Sequence, residues 1–331
     1  MNTDTTLSLI DALATQTMHY PFKVWGFGEG IALEALWDAE ARISEGGYRA
    51  FVLSLFERWL QRPLVEADHS APGILLLTLW EDTGDARFLE RARDLAQHLL
   101  GLPQTTAKAA LHRPQHADYH DFLYVDCMEV DAPFLVKLGL VTGNWAYVDA
   151  GVQQIIAYCT LLQDDASGLF YHQFNAATQQ VNGAFWGRGN GWALLGLIKT
   201  LHLLPTEHPG YAELTRRFVR LADALIARQN DAGGWHTVLD QPASYEESSL
   251  MAMFGVGLLL GTRNGLLGAR AANASERAWT RMISTIHDGL LEGVSVATPP
   301  GDAAHYAQIV TGSEYPWGQG PALWFALTRL P

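Results

Sequence analysis

Residues 75–101 read LLLTLWEDTGDARFLERARDLAQHLLG, and residues 134–164 read FLVKLGLVTGNWAYVDAGVQQIIAYCTLLQD. Each is an apolar run that stops at Thr-Gly and restarts as a run with one polar side. In the second copy Val148, Val152, Ile155, Ile156, Cys159 and Leu162 keep the spacing of one helix face, and Asp149, Gln153 and Gln154 occupy the other. A helix apolar on every side is buried, whereas a helix with one apolar stripe packs over it from outside. Both stretches therefore predict a hairpin of an inner and an outer helix.

The plan recurs along the chain. GIALEALWDAEA precedes GGYRAFVLSLFERWLQR, GWALLGLIKTLHLLP precedes GYAELTRRFVRLADALIARQ, and SSLMAMFGVGLLLG precedes RAWTRMISTIHDGL. The closing apolar piece, GPALWFALTRLP, lacks a follower, and the N-terminal TLSLIDALATQTMHY pairs with it. About six such pairs, at intervals of roughly 40 to 70 residues, predict an all-α chain: an (α/α)6 toroid closed by its terminal segments. No linker or low-complexity tract divides residues 1–331, so one domain is expected. The segments joining outer helices to the next inner ones are long and rich in Gly, His, Trp and Asp, and loops gathered on one face are where such a scaffold carries function. GLFYHQF (168–174) predicts a short strand or hairpin within one of them. FWGRGNGWALLGL (185–197) predicts a glycine-rich loop feeding a buried helix, because glycine weakens a helix interior.

Composition narrows the function. Of the 331 residues 48% are hydrophobic, enough for a sizeable core, and the net charge of −13 argues against nucleic acid or an anionic membrane as main partner. Cys127 and Cys159 form neither a disulfide framework nor a metal spacing, which fits a reducing compartment. The first residues lack the basic and apolar regions of a signal peptide, and the longest apolar stretch, 249–261, is too short to span a bilayer. A cytoplasmic location is expected; no oligomeric state is implied.

Four groups of residues are candidates for chemistry. Asp126, Glu129 and Asp131 stand at an inner-helix start, where Asp126 and Glu129 have the spacing of a capping box. Asp68 and His69 precede another inner helix, where capping is again the plain reading. If both starts face one mouth, Asp68 and Asp126 form a carboxylate pair, one member of which holds its proton near neutral pH. Arg188 either bonds backbone carbonyls or takes an anionic substrate group in its fork. His112, Arg113, His172 and His236 are scattered, and the His spacings match no zinc motif.

Taken together, DHSAPGILLLTLWEDTGD (68–85), VDCMEVDAPFL (125–135), GLFYH, WGRGNGW, GGWHTVLD and SYEESSLMAM resemble, in order, the motifs of the unsaturated rhamnogalacturonyl hydrolases, glycoside hydrolase family 105. These are related to the unsaturated glucuronyl hydrolases of family 88. The resemblance runs from about Trp25 to Trp324, with WGRGNGW its most specific element. It implies an (α/α)6 barrel and an unusual reaction on polysaccharide-lyase products, whose non-reducing uronic acid carries a C4=C5 double bond. A proton goes to C4, water adds at C5, and the hemiketal opens and loses the aglycone sugar; no metal or cofactor is needed. By position, Asp126 matches the family's acid/base and Asp68 its second essential carboxylate. Arg188, with His172 and His112 or Arg113, would hold the substrate carboxylate, Trp192 would stack on the unsaturated ring, and Trp186 and Tyr124 would complete the binding set. The chain departs from the family's usual pattern at Phe27, Tyr124 and residues 127–130, so the departures concern the second sugar more than the chemistry. Other readings stay open at this level: a sugar epimerase using His172 and His236, inversion at saturated glycosides between Asp68 and Asp126, and a non-catalytic sugar-binding protein.

Overall fold

The computed structural model describes residues 3–24, 26–43 and 46–330. Trp25, where the resemblance begins, lies outside the described residues. Along the chain the helices are α1 (Thr3–Thr17), α2 (Phe27–Ala39), α3 (Tyr48–Leu60), α4 (Gly73–Thr83), α5 (Ala86–Leu100), α6 (Cys127–Thr142) and α7 (Trp145–Leu162). They continue as α8 (Gly187–Leu203), α9 (Tyr211–Ile226), α10 (Ser248–Arg263), α11 (Ala269–Ile283), α12 (Ala303–Tyr306) and α13 (Pro316–Thr328). A 3₁₀ turn, Glu66–Ser70, precedes α4.

Six helices form a closed inner ring in the order α2, α4, α6, α8, α10 and α13, with α13 returning to α2. Outside them α3 packs on α2, α5 on α4, α7 on α6, α9 on α8 and α11 on α10, while α1 covers α13. This is the (α/α)6 toroid expected, including its closure by the two terminal segments. The burial pattern gives the cause. Along α8 Trp192, Ala193, Leu194, Leu195 and Gly196 are consecutive and all buried, whereas α9 buries one face through Leu214, Phe218, Leu221, Ala222 and Leu225. Ring closure needs close backbone approach: a Cβ on Gly320 of α13 would stand 2.6 Å from the Cα of Ala32 in α2.

The Thr-Gly stops have a physical basis. Gly84 and Gly143 adopt left-handed φ values of 72° and 69° at the ends of α4 and α6, a conformation that L side chains resist. The next residues, Asp85 and Asn144, cap the following helices by accepting from the N–H groups of Arg87 and Ala146. Two residues therefore suffice to reverse the chain.

WGRGNGW is not a loop. Helix α8 begins at Gly187, so Gly189 and Gly191 belong to its first turns and have ordinary helical backbone. They are needed for space: a Cβ on Gly189 would meet Val125 at 2.8 Å, and one on Gly191 would meet Met253 at 2.8 Å. Packing against neighbours outweighs the propensity cost of about 1 kcal/mol per glycine.

Short strands organise the mouth. β1 (Phe122–Tyr124), β2 (Gln173–Asn175) and β3 (Gln180–Val181) make an antiparallel sheet in that order, so GLFYHQF does enter a hairpin. Further along, β4 (Ile286–His287) pairs with β5 (Leu290–Leu291), and β6 (Val294–Ser295) with β7 (Thr311–Gly312). The register Tyr124↔Gln173, extended by the bond from the Val125 N–H to the His172 carbonyl (2.9 Å), sets residues 126 and 172 side by side.

Candidate active site

A cleft of about 450 Å³ opens where inner helices begin. Its walls come from the start of α2 (Phe27, Gly28, Glu29), Ser70 before α4, Tyr124 and Asp126 before α6, Trp186, Arg188 and Trp192 at α8, and Trp317 at α13. Residues 297–300 and the connection bearing His112, Arg113 and Tyr119 complete it. Helix N-termini present unsatisfied N–H groups and a positive dipole end. Several of them around one cleft favour an anion despite the acidity of the chain.

Asp126 is buried at the rim of this cleft and makes no side-chain cap to α6. The expected capping box is absent because Glu129 turns inward to Lys199 (2.5 Å), which also binds Glu34 (2.7 Å). Burial pushes the Glu129 carboxyl up to about 7, against the pull of Lys199. Burial pulls Lys199 the other way, and its two carboxylates more than reverse this, raising it.

The proton positions around Asp126 follow from hydrogen-bond capacity. The Tyr306 hydroxyl accepts from Asn182 Nδ2 (3.0 Å) and from the Gly301 N–H (3.0 Å), which fills its acceptor sites. Its own hydrogen then goes to His172 Nδ1, 2.8 Å away. A neutral His172 therefore carries its hydrogen on Nε2, 3.1 Å from Asp126 Oδ2. Asn182 holds the same hairpin by accepting from the His172 N–H (3.1 Å). Trp186 stiffens the group: His172 stacks on it at 4.3 Å, and Tyr306 lies nearly parallel at 5.8 Å.

Asp68 is elsewhere. Arg62 grips it in a fork, with Nη1–Oδ2 at 2.7 Å and Nη2–Oδ1 at 2.8 Å, and Oδ2 also accepts from the Val65 N–H. It is fully buried and absent from the cleft wall. The expected carboxylate pair with Asp126 is not assembled, because the cation six residues earlier in the chain folds back onto Asp68. The second carboxylate lining the cleft is Glu29, whose Oε2 accepts from the Lys23 N–H at 2.9 Å.

Of the two readings of Arg188, the geometry follows the one in which it bonds backbone carbonyls. Its guanidinium, buried and 4.6 Å from the Trp186 ring, donates to the carbonyls of Ser295 (3.0 Å) and Val296 (2.8 Å), to the Ser295 hydroxyl and to Thr298 Oγ1 (2.9 Å). Glu247 lies 3.4 Å away. Burial lowers its pKa, while Glu247 and Asp126 oppose that shift. The terminal N–H groups are thus spent on the chain's own segment 295–298. Trp192, 1% exposed and packed near Phe27, offers the cleft a wall and no open face.

His112 and Tyr124 line the cleft as expected, their rings meeting edge to face at 4.9 Å. Burial, then His69 and Arg113, hold the His112 imidazole well below its ordinary value. Arg113 has φ of 51°, a strained backbone for a residue with a Cβ, and extends over the Tyr119 ring at 5.9 Å. His236 donates its Nδ1–H to the loop carbonyl of Ser244 (2.6 Å) and does not line the cleft, so no His172–His236 pair forms. Asp131 is buried against Gln154 (3.0 Å) and His69 (3.6 Å), away from the cleft.

Tyr306, Asn182, Glu29 and Trp317 escaped the sequence reading. Tyr306 sits in GDAAHYAQIV, where only the Asp302 cap of α12, accepting from the His305 N–H at 2.8 Å, marks a local structure.

A model of Glycosyl Hydrolase Family 88 matches residues 6–331. Unsaturated rhamnogalacturonyl hydrolase YesR of Bacillus subtilis is 28% identical over 329 residues, covering 96% of this chain and 93% of that protein. A crystal structure of a possible member of family 105 from Salmonella enterica serovar Paratyphi A superposes with a TM-score of 0.90 at 22% identity, covering 99% of this chain and 94% of that one. The unsaturated glucuronyl hydrolase of Bacillus sp. GL1 gives 0.73 at 18% identity, with 96% and 94% covered. The family match spans the ring from α1 to its close and includes every residue of the cleft, and on that ground the chain belongs to Glycosyl Hydrolase Family 88.

Proposed function

We propose that this hydrolase removes a 4,5-unsaturated uronic acid from the non-reducing end of polysaccharide-lyase products, with a rhamnogalacturonan-type disaccharide as substrate. The observation that carries the reading is a buried Asp126 carboxyl that lines the cleft, with Oδ2 3.1 Å from His172 Nε2 and no hydrogen bond holding that oxygen. The extent of the likeness to YesR supports the uronyl-rhamnose class.

In this reading Asp126 acts twice. Its Oδ1–H gives the proton to C4 of the enol ether while the ring oxygen shares the positive charge at C5. The carboxylate so formed then takes a proton from water as the water oxygen bonds to C5, which restores the acid. The hemiketal opens and releases the aglycone. Asp68, gripped by Arg62 and outside the cleft wall, has no part in the proton transfer in this reading. With Arg188 committed to segment 295–298, the uronate carboxylate falls to Arg113, His112 and the helix N-termini. Trp317 and Phe27, half-buried in the wall, offer the sugar faces that Trp192 does not. Residues 1–331 act as one catalytic domain. Both cysteines are free and buried, in keeping with a reducing cytoplasm; among the described residues no helix is long and apolar enough to cross a membrane.

The test is spectroscopic. The conjugated double bond absorbs in the near ultraviolet and hydration removes that absorbance. The native chain should bleach an unsaturated uronyl-rhamnose disaccharide, and Asp126→Asn should reduce the rate by at least roughly a hundredfold, the weight of a general acid. A native chain inert on all unsaturated uronyl disaccharides, but active on saturated ones, refutes the reading.

A further inference from the structure

His69, His112 and Cys127 come from three separate segments: the 3₁₀ turn, the connection between α5 and α6, and the first residue of α6. Their spacing in the sequence matches no metal motif, yet the fold gathers them. His69 Nε2 lies 3.0 Å from His112 Nδ1, and His112 Nδ1 lies 3.7 Å from Cys127 Sγ. All three donor atoms fall within 4.8 Å of one another, and all three side chains are buried. Two imidazole nitrogens and a sulfur at such separations can enclose one ion at about 2.0 Å from nitrogen and about 2.3 Å from sulfur, the bond lengths of Zn²⁺.

A second observation points the same way. Asp131 Oδ1 stands 3.6 Å behind His69 Nδ1, and neither buried atom has a hydrogen-bond partner. Buried polar groups are nearly always satisfied, so this pair is an exception that needs a cause. A cation on Nε2 would polarise the ring, strengthen the Nδ1–H donor and draw it onto the carboxylate. That outer carboxylate is the usual support of a metal-bound histidine. With His112 Nδ1–H donating to His69 Nε2, the hydrogen of His69 already sits on Nδ1 toward Asp131, the tautomer that an ion on Nε2 requires.

We propose that His69, His112 and Cys127 form a three-ligand site for a borderline divalent cation of the Zn²⁺ class, with Asp131 behind His69 and a fourth position for water. On binding, the Cys127 thiol proton leaves to solvent. The hydrogen shared between the imidazoles moves from Nδ1 to Nε2 of His112, so one proton is released per ion. The site does not depend on the role given to Asp126. Since His112 also lines the cleft, the ion would fix part of its wall.

Cobalt is the probe. The full chain, stripped of metal by a chelator and exchanged into a non-coordinating buffer, is titrated with Co²⁺. One equivalent should bring the intense visible bands of tetrahedral cobalt and a near-ultraviolet thiolate charge-transfer band, and one equivalent of Zn²⁺ should erase both. Cys127→Ser should remove the charge-transfer band. Asp131→Asn, which keeps all three ligands, should retain the bands while weakening affinity roughly 10- to 100-fold; circular dichroism of each metal-free variant checks the fold separately. No cobalt bands with the native chain, or bands that Cys127→Ser and Asp131→Asn leave unchanged, would overturn the proposal. Activity is not the readout, so the outcome is independent of the Asp126 assay.

Discussion

Replacing Arg188 by Met separates a wall-building role from a substrate-binding one. The side chain keeps its bulk beside Trp186 but loses every bond to Ser295, Val296 and Thr298. Glu247, 1% exposed at its side chain, is left without its cation. Removing one partner of a buried ion pair costs about 3–5 kcal/mol. Unfolding entropy of ~2.1 cal/mol/K per residue gives ~0.7 kcal/mol/K for 331 residues, so Tm should fall by ~4–7 °C. Adding Glu247→Gln, which still accepts from the Ser295 N–H now bonded to Glu247 at 2.8 Å, should restore at least ~1 kcal/mol. Thermal unfolding of the parent, both single variants and the double variant measures this directly. Activity should fall too, through displacement of residues 297–300 in the cleft wall. If Arg188→Met keeps the parental Tm while KM rises tenfold or more, the guanidinium belongs to the substrate and the internal-brace argument is wrong.

Three further outcomes follow from the same geometry. Tyr306→Phe removes the donor that fixes the His172 tautomer; kcat should drop roughly fivefold, matching about 1 kcal/mol for one hydrogen bond, with KM nearly constant in steady-state assays. Arg113→Ala should raise KM for the uronate roughly tenfold or more in steady-state assays, as loss of a charged hydrogen bond of about 1.5–3 kcal/mol requires. Lys199→Met strands Glu129 in the ring interior and should cost about 3–5 kcal/mol in urea unfolding. The Lys199→Met/Glu129→Met pair should recover most of that loss, and failure to recover would deny the coupling.

The ring was legible because helix burial writes itself into residue spacing. Val148 to Leu162 declares an outer face, and the uninterrupted apolar run of α8 declares an inner position. Thr-Gly-Asp and Thr-Gly-Asn declared their turns through glycine's backbone freedom and the cap that follows. The site was less legible, since a side chain's partner is set by tertiary placement. Asp68 looked equivalent to Asp126, but Arg62 claims one and His172 faces the other. Arg188 stood out as a cation, yet its acceptors lie more than a hundred residues away in 295–298, which no local pattern announces. Gly187–Gly191 read as a loop because propensity disfavours glycine in helices, whereas packing against Val125 and Met253 decided otherwise.

The connections of the ring are unequal in length. Turns from inner to outer helices span two to eight residues, while passages from outer to the next inner helix span nine to thirty-two. Stability and recognition are therefore encoded on opposite ends of one object. The short end has almost no sequence to spare, and an insertion there would pry apart a helix pair. The long end can lengthen, shorten or exchange a segment without disturbing the ring. Such a chain can acquire a new sugar preference by rewriting a few passages, and its relatives can diverge in sequence while the barrel beneath them stays superposable.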